Sequence, residues 1–319
     1  MRVCSLLLVL SGLSWGQQAD ITSGVDLVAV GVSVTGGEGT LVKDLRQEEL
    51  LILDNGRPRA IDSLWREDDV PLTIGLIVDL SSSQMEHVAA HRQALNEFLG
   101  RILRPQDQAF LVSVGNEARL VTDLTHSTDA LRAGMKSLDL RSPAGDVLGD
   151  ICGEQKWWLP NCGGTALWNG VYAAAHLKMQ QVAGRKALIV FSDGWDTGSK
   201  HTLDDAIQAA EASDTLVYAI RYDFTMPTRA VTKAFYTRAA ETLRDYERIA
   251  SETGGREFVA PQIESGEMFR LIEAELRSLY VLTFKLPEDA MDGTFHKLEV
   301  RVQRPGAHVR ARSGYTAAR

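Results

Sequence analysis

The 319-residue chain is poor in cysteine: it has three, Cys4, Cys152 and Cys162. So few exclude a disulfide-dense scaffold. The spacing argues against a structural zinc site as well, because no second Cys or His pair stands at ligand spacing. The seven histidines are scattered and form no ligand pair. Basic charge is also in short supply, with 34 Lys+Arg against 42 Asp+Glu and a formal net charge of -8. That balance argues against nucleic acid or an anionic membrane as the main partner. Beyond the N-terminus no apolar run is long enough to span a bilayer. Repeats and low-complexity tracts are absent. Two catalytic signatures are missing: the G-x-G-x-x-G loop after the first buried strand and the G-x-S-x-G nucleophile elbow. What remains is an ordinary globular composition, 45% hydrophobic and 24% charged.

The first residues read as an export signal. Arg2 precedes an apolar run at 3–13, and Ser14-Trp15-Gly16 puts small residues at the cleavage positions, so residues 1–16 are expected to be removed. A buried N-terminal strand or helix is the alternative. Export makes the mature chain secreted, periplasmic or associated with the cell envelope. Loss of Cys4 leaves Cys152 and Cys162, and an even number in an exported chain points to one disulfide closing a short loop. Two free thiols are the alternative.

Three stretches differ in pattern. Residues 17–69 read as short strands with a turn at Asn55-Gly56. Residues 70–279 alternate strands with helices, which predicts an α/β domain with an open, mostly parallel sheet and helices on both faces. Within it, 141–164 has no sustained period and reads as a long ordered loop. Residues 280–319 return to strands. Each strand-rich end is small for a domain of its own, so the two are expected to pack together as one β domain.

The centre of the pattern is I-G-L-I-V-D-L-S-S-S at 74–83. It begins as a buried parallel strand and ends in Asp79, Ser81 and Ser83. In such a sheet the strand ends and the helix starts share one rim, where ligands bind. Thr165, before a helix, and Asp193, after the strand I-V-F-S, belong to the same rim. Five oxygen donors with no nitrogen or sulfur select a hard cation, Mg²⁺ or Mn²⁺, over zinc or copper. Taken singly, each segment also reads as a helix cap or an ordinary turn. Asp196 has no role in this pattern and reads as solvated.

D-x-S-x-S at Asp79, with Thr165 in G-G-T-A-L and Asp193 in I-V-F-S-D-G, resembles the metal-binding segments of a von Willebrand factor type A (VWA) domain. The flanks L-V-K-D-L, L-I-L-D-N-G and the R-x-G-Y run at 312–315 resemble the bacterial VWFA-related proteins. The resemblance implies a Rossmann-like VWA fold and a metal-ion-dependent adhesion site. Ser81, Ser83 and Thr165 would be direct ligands there, and Asp79 and Asp193 would bind directly or through water. It also implies non-catalytic binding of an Asp or Glu from a partner protein. Trp157 and Trp158, just before Thr165, are candidates for a ligand-facing rim, and burial under the loop is the alternative. A Mg²⁺-dependent hydrolase is the competing expectation, although no side chain stands out as its general base. A structural envelope protein is the third.

Overall fold

The structure is a computed structural model that describes residues 27–37, 40–68, 70–84, 87–101, 103–139, 144–149, 165–222 and 233–317. Residues 1–16, expected to be an export signal, the three cysteines, Trp157 and Trp158 lie outside the described residues.

β1 (Leu27–Thr35) buries Val30, Val32 and Val34 on one face, the period of two of a strand with one side on a core. β2 (Leu50–Asp54) and β3 (Arg57–Arg59) form a hairpin. Its turn residues Asn55 and Gly56 both take positive φ, 48° and 77°, which suits a tight two-residue hairpin. β4 (Ile61–Asp68) completes the first stretch.

The character changes at β5 (Leu72–Asp79), where every residue is buried, as in a strand covered on both faces. There follow α1 (Val88–Arg101), β6 (Gln108–Val114), β7 (Ala118–Thr125), α2 (Thr128–Lys136) and the short β8 (Asp146–Val147). α3 (Leu167–Ala173), β9 (Arg185–Ser192), α4 (Leu203–Ala212), β10 (Thr215–Arg221), α5 (Lys233–Glu252), β11 (Arg256–Val259) and α6 (Ser265–Arg277) complete the α/β part. The sheet order is β11-β10-β9-β5-β6-β7-β8. β5, β6, β9, β10 and β11 run parallel, while β7 is antiparallel to β6 and β8 to β7. One face carries α1, α2 and α6, through Leu95, Phe98, Leu131, Phe269 and Ile272. The other carries α3, α4 and α5, through Val171, Ile207 and Ile249. This is a VWA-like, Rossmann-like sheet. Gly75 in β5 is required by it: a Cβ there would come within 2.5 Å of both Leu188 and Phe110, whose side chains close over the strand from either side.

The last stretch gives β12 (Ser278–Lys285), β13 (Phe295–Val302), β14 (His308–Arg310) and β15 (Gly314–Thr316). Strands from the two chain ends intermingle in two four-stranded sheets, β14-β1-β12-β4 and β15-β13-β2-β3. They share a core that includes Val32, Ile52, Leu282, Phe284 and Tyr315. At its centre the buried Asp54 Oδ1 lies 2.7 Å from His296 Nδ1 and accepts from the Tyr315 hydroxyl at 3.1 Å, while Arg59 Nε donates to Oδ2 at 2.9 Å. The four groups satisfy one another, as buried polar atoms must.

Two local breaks are not visible in the sequence pattern. The helix after Thr165 is α-helical only through Ala173, then π-helical over Ala174–Lys178 and 3-10 over Met179–Gln181. The run from Val309 to Tyr315 is divided between two strands in different sheets, β14 beside β1 and β15 beside β13. The break has a cause: Arg312 bridges to Thr253, and Ser313 N donates to Glu252 O at 2.6 Å, so the chain leaves one sheet to meet the end of α5 before joining the other.

Candidate metal centre

β5 and β9 are neighbours in register, and the chain continues from them to opposite sides of the sheet. Their carboxyl ends therefore meet at a topological switch point, where α/β sheets bind ligands. Asp79 closes β5 and Ser192 closes β9, with Asp193 next in the chain. The Ser192 hydroxyl donates to Asp79 Oδ2 at 2.5 Å, and Ser81 N donates to Oδ1 at 2.7 Å. Asp79 is fully buried and Asp193 is 1% exposed. Asp193 Oδ1 accepts from Trp195 N at 2.9 Å, and Oδ2 accepts from the Gln84 side-chain amide at 2.9 Å. Gly194 has φ of 81°, and a Cβ there would sit 2.9 Å from Tyr246. The sharp turn that aims Asp193 back toward β5 thus depends on glycine.

The turn after β5 is a single 3-10 turn, Ser82–Gln84. Ser81 Oγ and Ser83 Oγ stand 3.0 Å apart, so the two hydroxyls of D-x-S-x-S form a pair. Thr165 is buried at the start of the described residues before α3. Its backbone N donates to Thr197 Oγ1 at 3.1 Å, and its carbonyl accepts from Thr197 N and Gly198 N. Ala166 N donates to Gly115 O, just past β6. These contacts tie Thr165 to the loop after Asp193 and to the end of β6. Thr165 does not cap α3: the N-cap position is Ala166, with no side-chain cap.

That cap comes from Asp196, the residue read from sequence as solvated. Its Oδ1 accepts from Leu167 N at 2.8 Å, Trp168 N at 3.3 Å and Ser199 Oγ at 2.5 Å. A carboxylate at a helix N-terminus satisfies free N–H groups and faces the positive end of the helix dipole. Burial nevertheless raises its carboxyl above the ordinary value. The available sequence signal was D-T-G-S at 196–199, an Asp with Ser three residues on. The partner amides belong to a helix some 30 residues earlier, and local pattern does not show that.

The electrostatics are dominated by the two carboxylates. Burial first, and the charge of Asp193 second, push the Asp79 carboxyl up to about 7, against the hydrogen bonds from Ser192 and Ser81. Burial first, and then the same two carboxylates, hold the Tyr246 hydroxyl proton on, and that hydroxyl donates to Val190 O at 2.6 Å. Among the described residues neither carboxylate has a Lys, Arg or His partner; the groups donating to them are neutral. Gln84 Oε1, on the amide that holds Asp193, is buried without a donor among the described residues. Two buried carboxylates, paired hydroxyls and an orphaned amide oxygen form an oxygen-only set that fits a hard cation. Among the described residues no group of three Asp, Glu, His or Cys side chains is placed to hold a metal ion. A cation at this rim would therefore depend on hydroxyl oxygens beside the two acids.

No protein-family model matches the sequence, and no curated protein matches it. Solved structures similar to this chain include the vWF domain of the type V pili tip protein Mfa5 from Porphyromonas gingivalis. It is 12% identical, with a TM-score of 0.45 over 65% of this chain and 96% of that one. The conserved hypothetical protein BatB from Bacteroides thetaiotaomicron is 12% identical, with a TM-score of 0.43 over 64% and 98% of the two chains. Proximal thread matrix protein 1 from the mussel byssus is 13% identical, with a TM-score of 0.45 over 77% and 50%.

Proposed function

We propose that Asp79, Ser81, Ser83, Thr165 and Asp193 hold one divalent cation, Mg²⁺ or Mn²⁺, and that the chain is a non-catalytic binding module for an acidic group of a partner protein. The observation that carries this reading is the pair of buried carboxylates, Asp79 and Asp193, with no cationic side chain beside them among the described residues. Buried charge without a counter-charge is costly, and a divalent ion supplies the counter-charge. When bound, the ion offers an electrophilic position to an incoming Asp or Glu, because the hydroxyl ligands add no charge. The chain's own part is to fix the donors. The Ser192 hydroxyl orients Asp79, Gln84 and Trp195 N orient Asp193, and the Thr197 contacts hold Thr165 against the same rim.

The reading places the protein outside the cytoplasm, as a secreted, periplasmic or envelope-associated chain, on the strength of the leader-like residues 1–16. Among the described residues no helix is long and apolar enough to cross a membrane. Calorimetry with Mg²⁺ and Mn²⁺ tests the metal. The wild type is expected to release heat on titration and to melt higher with added metal. Asp79→Ala should show neither response, and Thr165→Ala should bind more weakly with little loss of stability. Equal heats for wild type and Asp79→Ala would leave these residues as turn and cap groups only. Metal-dependent turnover of a phosphoester or peptide would favour a hydrolase instead.

A further inference from the structure

The loop after β9 and the start of α5 meet at the rim of the candidate metal centre. β10 runs parallel to β9 and to β11, so the helix that joins β10 to β11 begins on the edge where β5 and β9 end. Gly194 lies against Tyr246 of that helix, and Arg238 donates to Asp196 O at 3.2 Å. The first turns of α5 therefore stand beside the Asp193 turn.

Three aromatic rings step outward from that turn. Trp195, whose backbone N donates to Asp193 Oδ1 at 2.9 Å, stacks on Phe235 with ring centroids 5.3 Å apart and planes at 27°. Phe235 in turn meets Tyr236 edge-on, with centroids 6.2 Å apart. Trp195 and Phe235 are half-buried, while Tyr236 is 59% exposed. Helix side chains lean toward the N-terminus, so Tyr236 leans toward the rim. The charge at this place is basic. α5 carries Lys233 and Arg238 before its first acid, Glu241, and both cations are exposed. The Arg238–Glu241 pair is 3.6 Å long and open to water, so it is worth little, and the positive end of the helix dipole adds to the two cations.

On the reading that the rim holds a divalent cation, we propose that this aromatic step is a second contact for the same partner. That partner is an acidic protein segment whose metal-bound Asp or Glu is accompanied by an aromatic side chain seated on Tyr236, at the edge of the Trp195–Phe235 stack. Aromatic side chains are the usual anchors of such surfaces. The ring-to-ring steps of 5.3 and 6.2 Å put the partner's aromatic about three residues from its acid in an extended segment, at about 3.3 Å per residue. Further acids beside that aromatic meet Lys233 and Arg238, whereas a basic segment is repelled.

Calorimetry on the full chain in Mg²⁺ uses the capped peptide E-F-G-G-D-G-G-F-E, which offers Phe on either side of the central acid, and its twin with Ala for both Phe. The Phe peptide is expected to bind the wild type about tenfold more tightly than the twin. Tyr236→Ala should bring the two affinities together, and Tyr236→Phe should keep them apart. Lys233→Glu should weaken both peptides, most at low salt. Tyr236 and Lys233 are exposed, so these variants are expected to fold and to give the wild-type Mg²⁺ heat without peptide. Equal affinity of the two peptides for the wild type would overturn the aromatic contact and leave the metal reading standing. So would a preference for Phe that survives Tyr236→Ala, or Mg²⁺ heat with binding of neither peptide. Absence of both the Mg²⁺ heat and peptide binding would overturn the two readings together.

Discussion

Asp196 Oδ1 accepts the backbone hydrogen of Leu167 at 2.8 Å, so the loop after one strand of the rim caps the helix that begins two residues past Thr165. Through this cap the position of Thr165 depends on a carboxylate that does not itself face the rim donors. Asp196→Ala is expected to lower stability by about 1–2 kcal/mol, the usual cost of a lost N-cap, and also to weaken the Mg²⁺ heat. Asp196→Asn keeps an accepting oxygen and should recover most of both. If urea titration shows the stability loss while calorimetry shows unchanged Mg²⁺ affinity, the cap has no part in placing Thr165.

A buried ion pair at the opposite end of the sheet gives a second test. Arg277 pairs bidentately with Asp107, whose carboxylate also accepts from Leu72 N and Arg104 N. Removing the cation leaves a buried charge without its partner. Arg277→Met should therefore cost about 3–5 kcal/mol in urea unfolding. Adding Asp107→Asn removes that charge and should recover part of the loss. A double variant no more stable than Arg277→Met would show that packing of the arginine stem, not its charge, holds this corner.

Glu211 links stability to pH. Burial raises its carboxyl to about 7, with a smaller push from Glu252, against Ser313 and Arg312. In the unfolded chain it returns to the ordinary carboxylate range. Between those values the folded state holds a proton that the unfolded state has released, so this group's contribution to stability falls as pH rises toward 7. Above the folded value the loss is complete, at up to about 3 kcal/mol. Glu211→Gln should flatten that part of the profile. Because Asp79, also raised to about 7, keeps its own dependence of the same sign, the urea midpoints at about pH 5 and about pH 8 would lie closer together for the variant than for the wild type; an equal gap in both would show that Glu211 is ionised throughout.

The strand exchange between chain ends predicts the effect of truncation. β1 pairs with β12 and β14, and β2 pairs with β13. Deleting residues 280–319 should leave 27–68 open to proteolysis while the α/β part stays resistant. Limited trypsin digestion read by mass spectrometry decides it: protection of 27–68 in the truncated chain would mean that segment holds together without its partners.

What the sequence made legible follows the range of the forces involved. β5 and β9 announce themselves because strands buried on both faces are continuous apolar runs, and their polar endings mark one rim. The neighbours of Asp79, Ser81, Ser83 and Asp193 were accessible in the same way, since each sits at the end of a strand or in the turn that follows. The Asp196 cap was not, because its partners are set by how the β9–α4 loop folds back over α3. Nor was the Asp54–His296–Tyr315 cluster: Asp54 and His296 lie 242 residues apart, and each alone is an unremarkable polar residue in a strand. The split of β14 from β15 escaped for a similar reason, since the contact of Ser313 with Glu252 that breaks the strand is tertiary.

Adjacent placement of β4 and β12 has a consequence for the order of assembly. Asp68 and Ser278 are register partners, yet about 210 residues separate them along the chain, and closing so long a loop in an unfolded polymer costs about 5 kcal/mol. A folded α/β part removes most of that cost, because it begins and ends side by side. The β sheets are then completed only after β12 to β15 have been made, later than the α/β part that precedes them in the chain. Until that moment β1 and β4 have no partner strands, and β2 has only its hairpin mate β3. During synthesis β1 and β4 would therefore stand exposed as open edges until β12 is made.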